Sequence, residues 1–217
     1  PSREQNGAVL LESVTNQLQA ISPALKRVPP VLTLLPDGSA IPATKLSRWQ
    51  AKKTLPEDPD EFGNWEETAD QIHKTRELLD TLKMAFQKPA FDTGFDYKKG
   101  FADFEMHLFV EVKKAGELLT AAAQLELKRG RLEDAAAYLN ALLSLVERQK
   151  NERLIISQLV RHLCANLAFG VTWDALQATG WTEPQLKSFQ DSWQRNHFDH
   201  DMATALEMER AMSLDYS

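Results

Sequence analysis

The chain has 217 residues, 43% of them hydrophobic and 26% charged, with a net charge of −6. That size and balance suit one globular domain with a sizeable core, and exclude a disordered or collagen-like chain. Lys and Arg are interleaved with acids and form no basic patch, so nucleic acid is not expected as a partner. The single cysteine, Cys164, excludes an internal disulfide framework and any multi-cysteine zinc or iron–sulfur site. It lies in "LVRHLCANLAF", an apolar stretch that suits a small buried hydrophobe rather than a nucleophile.

No apolar run is long enough to span a membrane. The sequence begins at Pro1 with neither a methionine nor a signal peptide. An upstream export signal that was cleaved, an upstream membrane anchor that was trimmed, or a removed tag would each account for that.

In chain order, residues 8–21 place Val9, Leu10, Val14, Leu18 and Ile21 at helical spacing, with Pro23 just beyond. Residues 28–63 change character and hold six of the ten prolines. "VLTLL" reads as a short extended segment, "PDG" as a turn and "ATKLSRWQAKK" as a short helix carrying Trp49. A connection this long is unusual in a compact domain. Leu34, Leu35, Ile41 and Trp49 suit a wrapping segment, and the alternative is a lid.

Asn64 with Glu67 fits a capping box for the next helix. The apolar stripe of that helix runs from Trp65 through Ala69, Ile72, Leu79 and Leu82 to Phe86, and Pro89 ends it. Residues 86–109 are the most aromatic stretch. Phe91, Phe95, Tyr97 and Phe101, set beside Asp and Lys, are candidates for lining a ligand groove. Aromatic residues at the end of a bundle also serve as plugs, which is the reading favoured here.

Asp103 is placed to cap a long helix reaching Arg129, kept slim by Gly116 and Ala121–Ala123. Gly130 suits the left-handed position just past it. The chain then reverses into Leu132–Val146, and so short a turn forces two antiparallel helices. Asn151 is placed to cap a third helix. Its stripe of Leu154, Ile155, Leu159, Val160, Leu163, Leu167 and Val171 is the most hydrophobic in the chain, which predicts a place at the centre of the core. Arg153 and Arg161 on so apolar a helix raise a second possibility, a membrane surface or a partner's groove. After Gly180, Thr182 with Gln185 starts a helix carrying Leu186, Phe189 and Trp193. Asp199 starts a last one with Met202, Leu206 and Met212.

"AAAQLELKRGRLEDAAAYLNALLSL" resembles one tetratricopeptide-like helix hairpin, with small residues before the turn, Gly130 at it and Ala136 after it. No second copy follows at the repeat period, so a full solenoid is not expected. Residues 118–212 are also similar to a family of uncharacterised bacterial all-helical proteins of unknown function. The residues that carry this are "RGRLEDAAAYLNALLSLVERQ", "ERLIISQLVRHL" and a late "ALEMERAM". The resemblance implies an all-helical fold and an extracytoplasmic location, periplasmic or membrane-anchored, with the cytoplasm as the alternative. It implies no catalytic residue.

Chemistry-bearing patterns are sparse. No GxSxG, P-loop or GxGxxG occurs. His197, Asp199, His200 and Asp201 in "RNHFDHDM" are the candidate metal ligands, because imidazoles and carboxylates at this density suit a divalent ion. The competing reading is a helix start with Asp199 as its cap. Asp70 and His73 make half of an imperfect di-metal motif. Ser157 and His162 do not face each other on a helix.

The expectation is therefore an all-α antiparallel bundle of six or seven helices in a single domain spanning 1–217. Residues 104–175 form its centre, and 182–214 a closing helix pair. The expected role is a non-catalytic protein-interaction or scaffold domain with a protein or peptide partner, no cofactor and no catalytic residues. The rival is a metal- or small-ligand-binding bundle, with a hydrolase as its catalytic form.

Overall fold

A computed structural model describes residues 2–21, 32–34, 40–42, 65–98 and 107–215. The expected caps Asn64 and Asp103, the wrapping residues Leu35 and Trp49, and the groove candidate Phe101 lie outside the described residues. The architecture is an all-α bundle. Helices α1 (Gly7–Ser13) and α2 (Thr15–Gln19) precede a small antiparallel pair of strands, β1 (Leu32–Leu34) and β2 (Ala40–Pro42), with Thr33 opposite Ile41. Then come α3 (Trp65–Lys74), α4 (Arg76–Gln87), α5 (His107–Lys128), α6 (Leu132–Arg148), α7 (Ile155–Gln177), α8 (Glu183–Gln194) and α9 (Phe198–Asp215).

Helices α5, α6 and α7 pack mutually as the central unit. Gly130 closes α5 with φ +71°, the left-handed conformation that costs an L residue most, so the reversal into α6 is immediate. The middle of α5 is enclosed on every side. Leu118, Leu119, Ala121, Ala122, Ala123 and Leu125 are all buried, because the small side chains let α6 and α7 approach closely. Helix α4 packs on α6, α1 on α4, α2 and α3 on α5, α8 on α6, and α9 on α7.

Two stripes read as continuous are broken. Val14 leaves the helix region between α1 and α2, and Thr75 does so between α3 and α4. The Thr75 hydroxyl donates back to the carbonyls of Gln71 and Ile72, the competition with the helix ladder that bends helices at threonine.

Gly7 is required by a close approach. A Cβ there would stand 2.1 Å from the carbonyl oxygen of Ala85 on α4. Beside it the chain is latched to the segment after α4. The Gly7 amide donates to Ala90 O, the Ala90 amide to Gln5 O, and the Asn6 side chain both accepts from the Asp92 amide and donates to Asp92 O.

The start of α7 is not capped by Asn151, which belongs to a 3-10 turn (Gln149–Asn151) ahead of it. The first free amide of α7, on Ile155, instead donates to Glu209 of α9 at 2.7 Å. The capping box at α8 is present as expected, with Thr182 and Gln185 satisfying each other's groups. Helix α9 begins one residue earlier than Asp199, with Asp199 and Asp201 in its first turn.

Candidate functional site

A pocket of about 330 Å³ opens where the segment after α4 meets the turn between α6 and α7. Pro89 stops α4 and sends the chain across the bundle's end. Phe91 is buried and packs against Phe86, ring centres 6.0 Å apart. Phe95 and Tyr97 follow, edge to face at 4.9 Å. These three aromatics line the pocket together with Thr93, Arg148 and Glu152. Three of the four aromatic groove candidates are thus brought to one wall.

Glu152 gives the pocket its chemical character. It is 9% exposed, on the short link between the 3-10 turn and α7. Its carboxylate accepts from the Thr93 hydroxyl, at 3.2 and 3.4 Å to the two oxygens. No cationic side chain among the described residues pairs with it. Burial pushes its pKa up to about 7; hydrogen bonds from Thr93 pull it down, and the negative charge of Asp92 pushes it further up.

Two of the nearby cations are engaged elsewhere, and Arg153 is exposed. Arg148 donates to the carbonyls of Phe86 and Pro89, and Lys150 lies 3.8 Å from Glu147, which also takes Arg195. The Tyr97 hydroxyl accepts from the Arg153 amide at 3.1 Å, and burial raises its pKa, so it keeps its proton to donate. The sequence reading missed Glu152. One glutamate in "KNERL" looks like any solvated acid, and only the crossing of Thr93 and Tyr97 above it makes it a buried one.

The candidate metal residues are not gathered. Among the described residues no three His, Cys, Asp or Glu side chains converge to hold an ion. His197, Asp199 and His200 are exposed, and Asp201 turns inward to Arg161. Asp70 pairs with Lys74, and His73 is exposed. Ser157 is buried and Cys164 has no exposed surface, so neither presents a nucleophile to solvent.

The place expected for α7 needs correction. Its inner side carries Ser157, Gln158, Arg161, Cys164 and Asp174, all buried. Its outer side carries Leu159 (54% exposed), Leu163 (39%), Phe169 (46%) and Leu176 (55%). The apolar stripe is therefore split: Leu154 and Val171 are buried, Ile155, Val160 and Leu167 half-buried, and Leu159 and Leu163 face outward. The reason is a polar network on the inner side. Arg161 donates to Val146 O, Gln158 Oε1, Asn196 Oδ1 and Asp201 Oδ2, and lies over the Phe198 ring at 4.6 Å. Gln158 donates to Gln149 O and Glu152 O, and Asp174 accepts from Gln124. Arg161, Gln158 and Asp174 each bond to at least one other element, although the Ser157 hydroxyl and Asp174 Oδ1 have no partner among the described residues, and these cross-element bonds fix the rotation of the helix.

No helix among the described residues is long and apolar enough to cross a membrane. Comparison with protein-family models, with curated proteins and with solved structures gives no match.

Proposed function

We propose that this chain is a non-catalytic helical interaction domain that docks an apolar segment of a partner protein on the outer side of α7. One observation carries this. Four large apolar side chains of a single helix, Leu159, Leu163, Phe169 and Leu176, are exposed, Phe169 partly against Trp193, while Arg161, Asp174 and Gln158 of the same helix are buried. Scattered exposed leucines are ordinary. A helix with this inversion is not: the Arg161 network fixes its rotation, and the apolar side thereby turned outward is left for a partner to cover.

Leu159 and Leu163 are four residues apart and share one face; Phe169 and Leu176, seven apart, share another. Grooves and faces that take amphipathic helices are built from such spacings. The tetratricopeptide-like hairpin of α5 and α6 supplies a rigid backing, in the manner of repeat scaffolds. The extracytoplasmic location implied by the family resemblance is part of the same reading, and so is the absence of a catalytic role.

The test is the double variant Leu159→Glu with Leu163→Glu. Both side chains are exposed, so the variant is expected to unfold within about 0.5 kcal/mol of the parent. A partner retained by immobilised parent protein, identified by mass spectrometry and then titrated in purified form, should bind the variant at least about tenfold more weakly. Equal binding by the two proteins would remove α7 as the docking face.

A further inference from the structure

The pocket at the α6–α7 turn shares no residue with that face, and its chemistry supports a separate conclusion that does not depend on the docking reading. We propose that this pocket is a binding site for a small organic ammonium ion, with Glu152 as its counter-charge and Tyr97 and Phe95 as its aromatic wall.

The argument starts from an unbalanced charge. Glu152 is buried, yet among the described residues it accepts a side-chain hydrogen bond from only the neutral hydroxyl of Thr93. A buried carboxylate without a cation is costly, and proteins normally pair it. The charged and titratable groups around it are Asp92 and Tyr97 on the crossing segment, Glu147, Arg148 and Lys150 on the α6 side, Arg153 beside it, and Glu209 of α9, which reaches the first amide of α7. Asp92 and Glu147 are of the same sign as Glu152. Arg148 is turned to two backbone carbonyls and Lys150 toward Glu147, while Glu209 holds the Ile155 amide. Arg153 is exposed, and among the described residues no cationic side chain pairs with Glu152, so the ion pair is left for a ligand to complete.

The wall selects what kind of cation fits. Aromatic faces attract ammonium groups and shed their hydration, and a carboxylate beside them fixes the charged end. A bare divalent metal would need several oxygen ligands, and among the described residues no three acids or histidines converge. An anion would meet Glu152 and Asp92. The volume of about 330 Å³ lies at the small end of ligand pockets, so the ligand is a compact amine rather than a polyamine chain. The Tyr97 hydroxyl, still protonated, is available to a polar group at the ligand's other end.

The experiment is an amide-resolved NMR titration of the full chain with benzylammonium chloride, and separately with its neutral analogue benzyl alcohol. Benzylammonium is expected to shift the amides of Thr93, Tyr97, Glu152 and Arg153 saturably, and benzyl alcohol to leave them in place. Affinity should be at least about tenfold weaker at pH 5.5 than at pH 7.5, because the carboxyl takes up a proton across that range. Glu152→Gln should abolish the shifts, Tyr97→Phe should keep them, and Tyr97→Leu should weaken them about tenfold. Equal response to the amine and the alcohol, a pH-independent affinity, or no shift at millimolar amine would each overturn the proposal. Should Glu152→Gln lose its fold, the pH series on the parent and the Tyr97 pair decide the matter alone.

Discussion

Arg161 and Asp201 form a 2.7 Å ion pair between α7 and α9, and the guanidinium has no exposed surface. The arginine of the most apolar stretch of the sequence is thereby the polar hub that holds α9 to the bundle. Breaking a buried pair from one side leaves the other charge uncompensated, which costs about 3–5 kcal/mol. Asp201→Ala is therefore expected to lose about that much stability in urea unfolding. Asp199→Ala, two residues away and exposed, should lose less than about 1 kcal/mol. Equal losses would mean that the pair contributes no more than the helix dipole does.

Stability should fall as pH rises through the mildly acidic range. The folded chain keeps protons on Glu152 up to about 7 and on Asp174 up to about 6, against ordinary values of 4.5 and 3.8. The unfolded chain has released those protons by then, so unfolding is favoured as pH rises from about 4 to 7. The Glu152 contribution reaches about 3 kcal/mol of lost stability at pH 8. Glu152→Gln removes the titrating group. Its stability relative to the parent should improve by about 2–3 kcal/mol between pH 5 and pH 8, read from urea midpoints. A constant difference between the two proteins would place Glu152 in water rather than under Thr93.

Cys164 should be chemically silent in the native protein. Burial pushes its thiol up to about 12, and it sits between α5 and α7 with its sulfur 3.9 Å from Val112 O. The thiolate is the reactive form, so labelling by iodoacetamide must pass through opening of the bundle. Labelling rates across a urea series should track the global unfolding equilibrium. Rapid labelling in native buffer would reveal a local opening of α7 instead.

Gly7→Ala should destabilise the chain through α4. The added Cβ falls 2.1 Å from a backbone oxygen, which cannot rotate away as a side chain can. Overpacking of this kind costs about 1–3 kcal/mol. The variant should also release the Asn6 latch on Asp92, which holds the pocket's crossing segment. Amide exchange at Ala90 and Asp92 should quicken more than at Leu142 in the core. Uniform quickening would mean that the latch has no local role.

Much of the bundle was legible in the sequence because its signals are local. Gly130 marks the position in the α5–α6 turn that adopts positive φ, and the Thr182–Gln185 box needs only three residues of separation to act. The stripes of α4, α5 and α6 predict their buried faces, since periodicity alone places Leu79, Leu82, Leu119, Leu139 and Leu142 inward. Breaks at Val14 and Thr75 were not legible, because the apolar spacing runs through both positions, and a threonine inside a helical stripe bends the ladder only where its hydroxyl turns back to the carbonyls before it.

The sequence by itself determined the helices, the tight α5–α6 reversal and the lack of any linear catalytic or phosphate-binding motif. These follow from propensity, capping and spacing, all of which act within a few residues. Only the tertiary structure decided which way α7 faces, that Asp201 meets Arg161, and that Glu152 is enclosed by Thr93 and Tyr97. Those outcomes join residues some 40 to 60 positions apart, and their physical cause is desolvation. A buried charge is worth ordering a helix around when partners from other elements reach it, and no local pattern records where those partners will be.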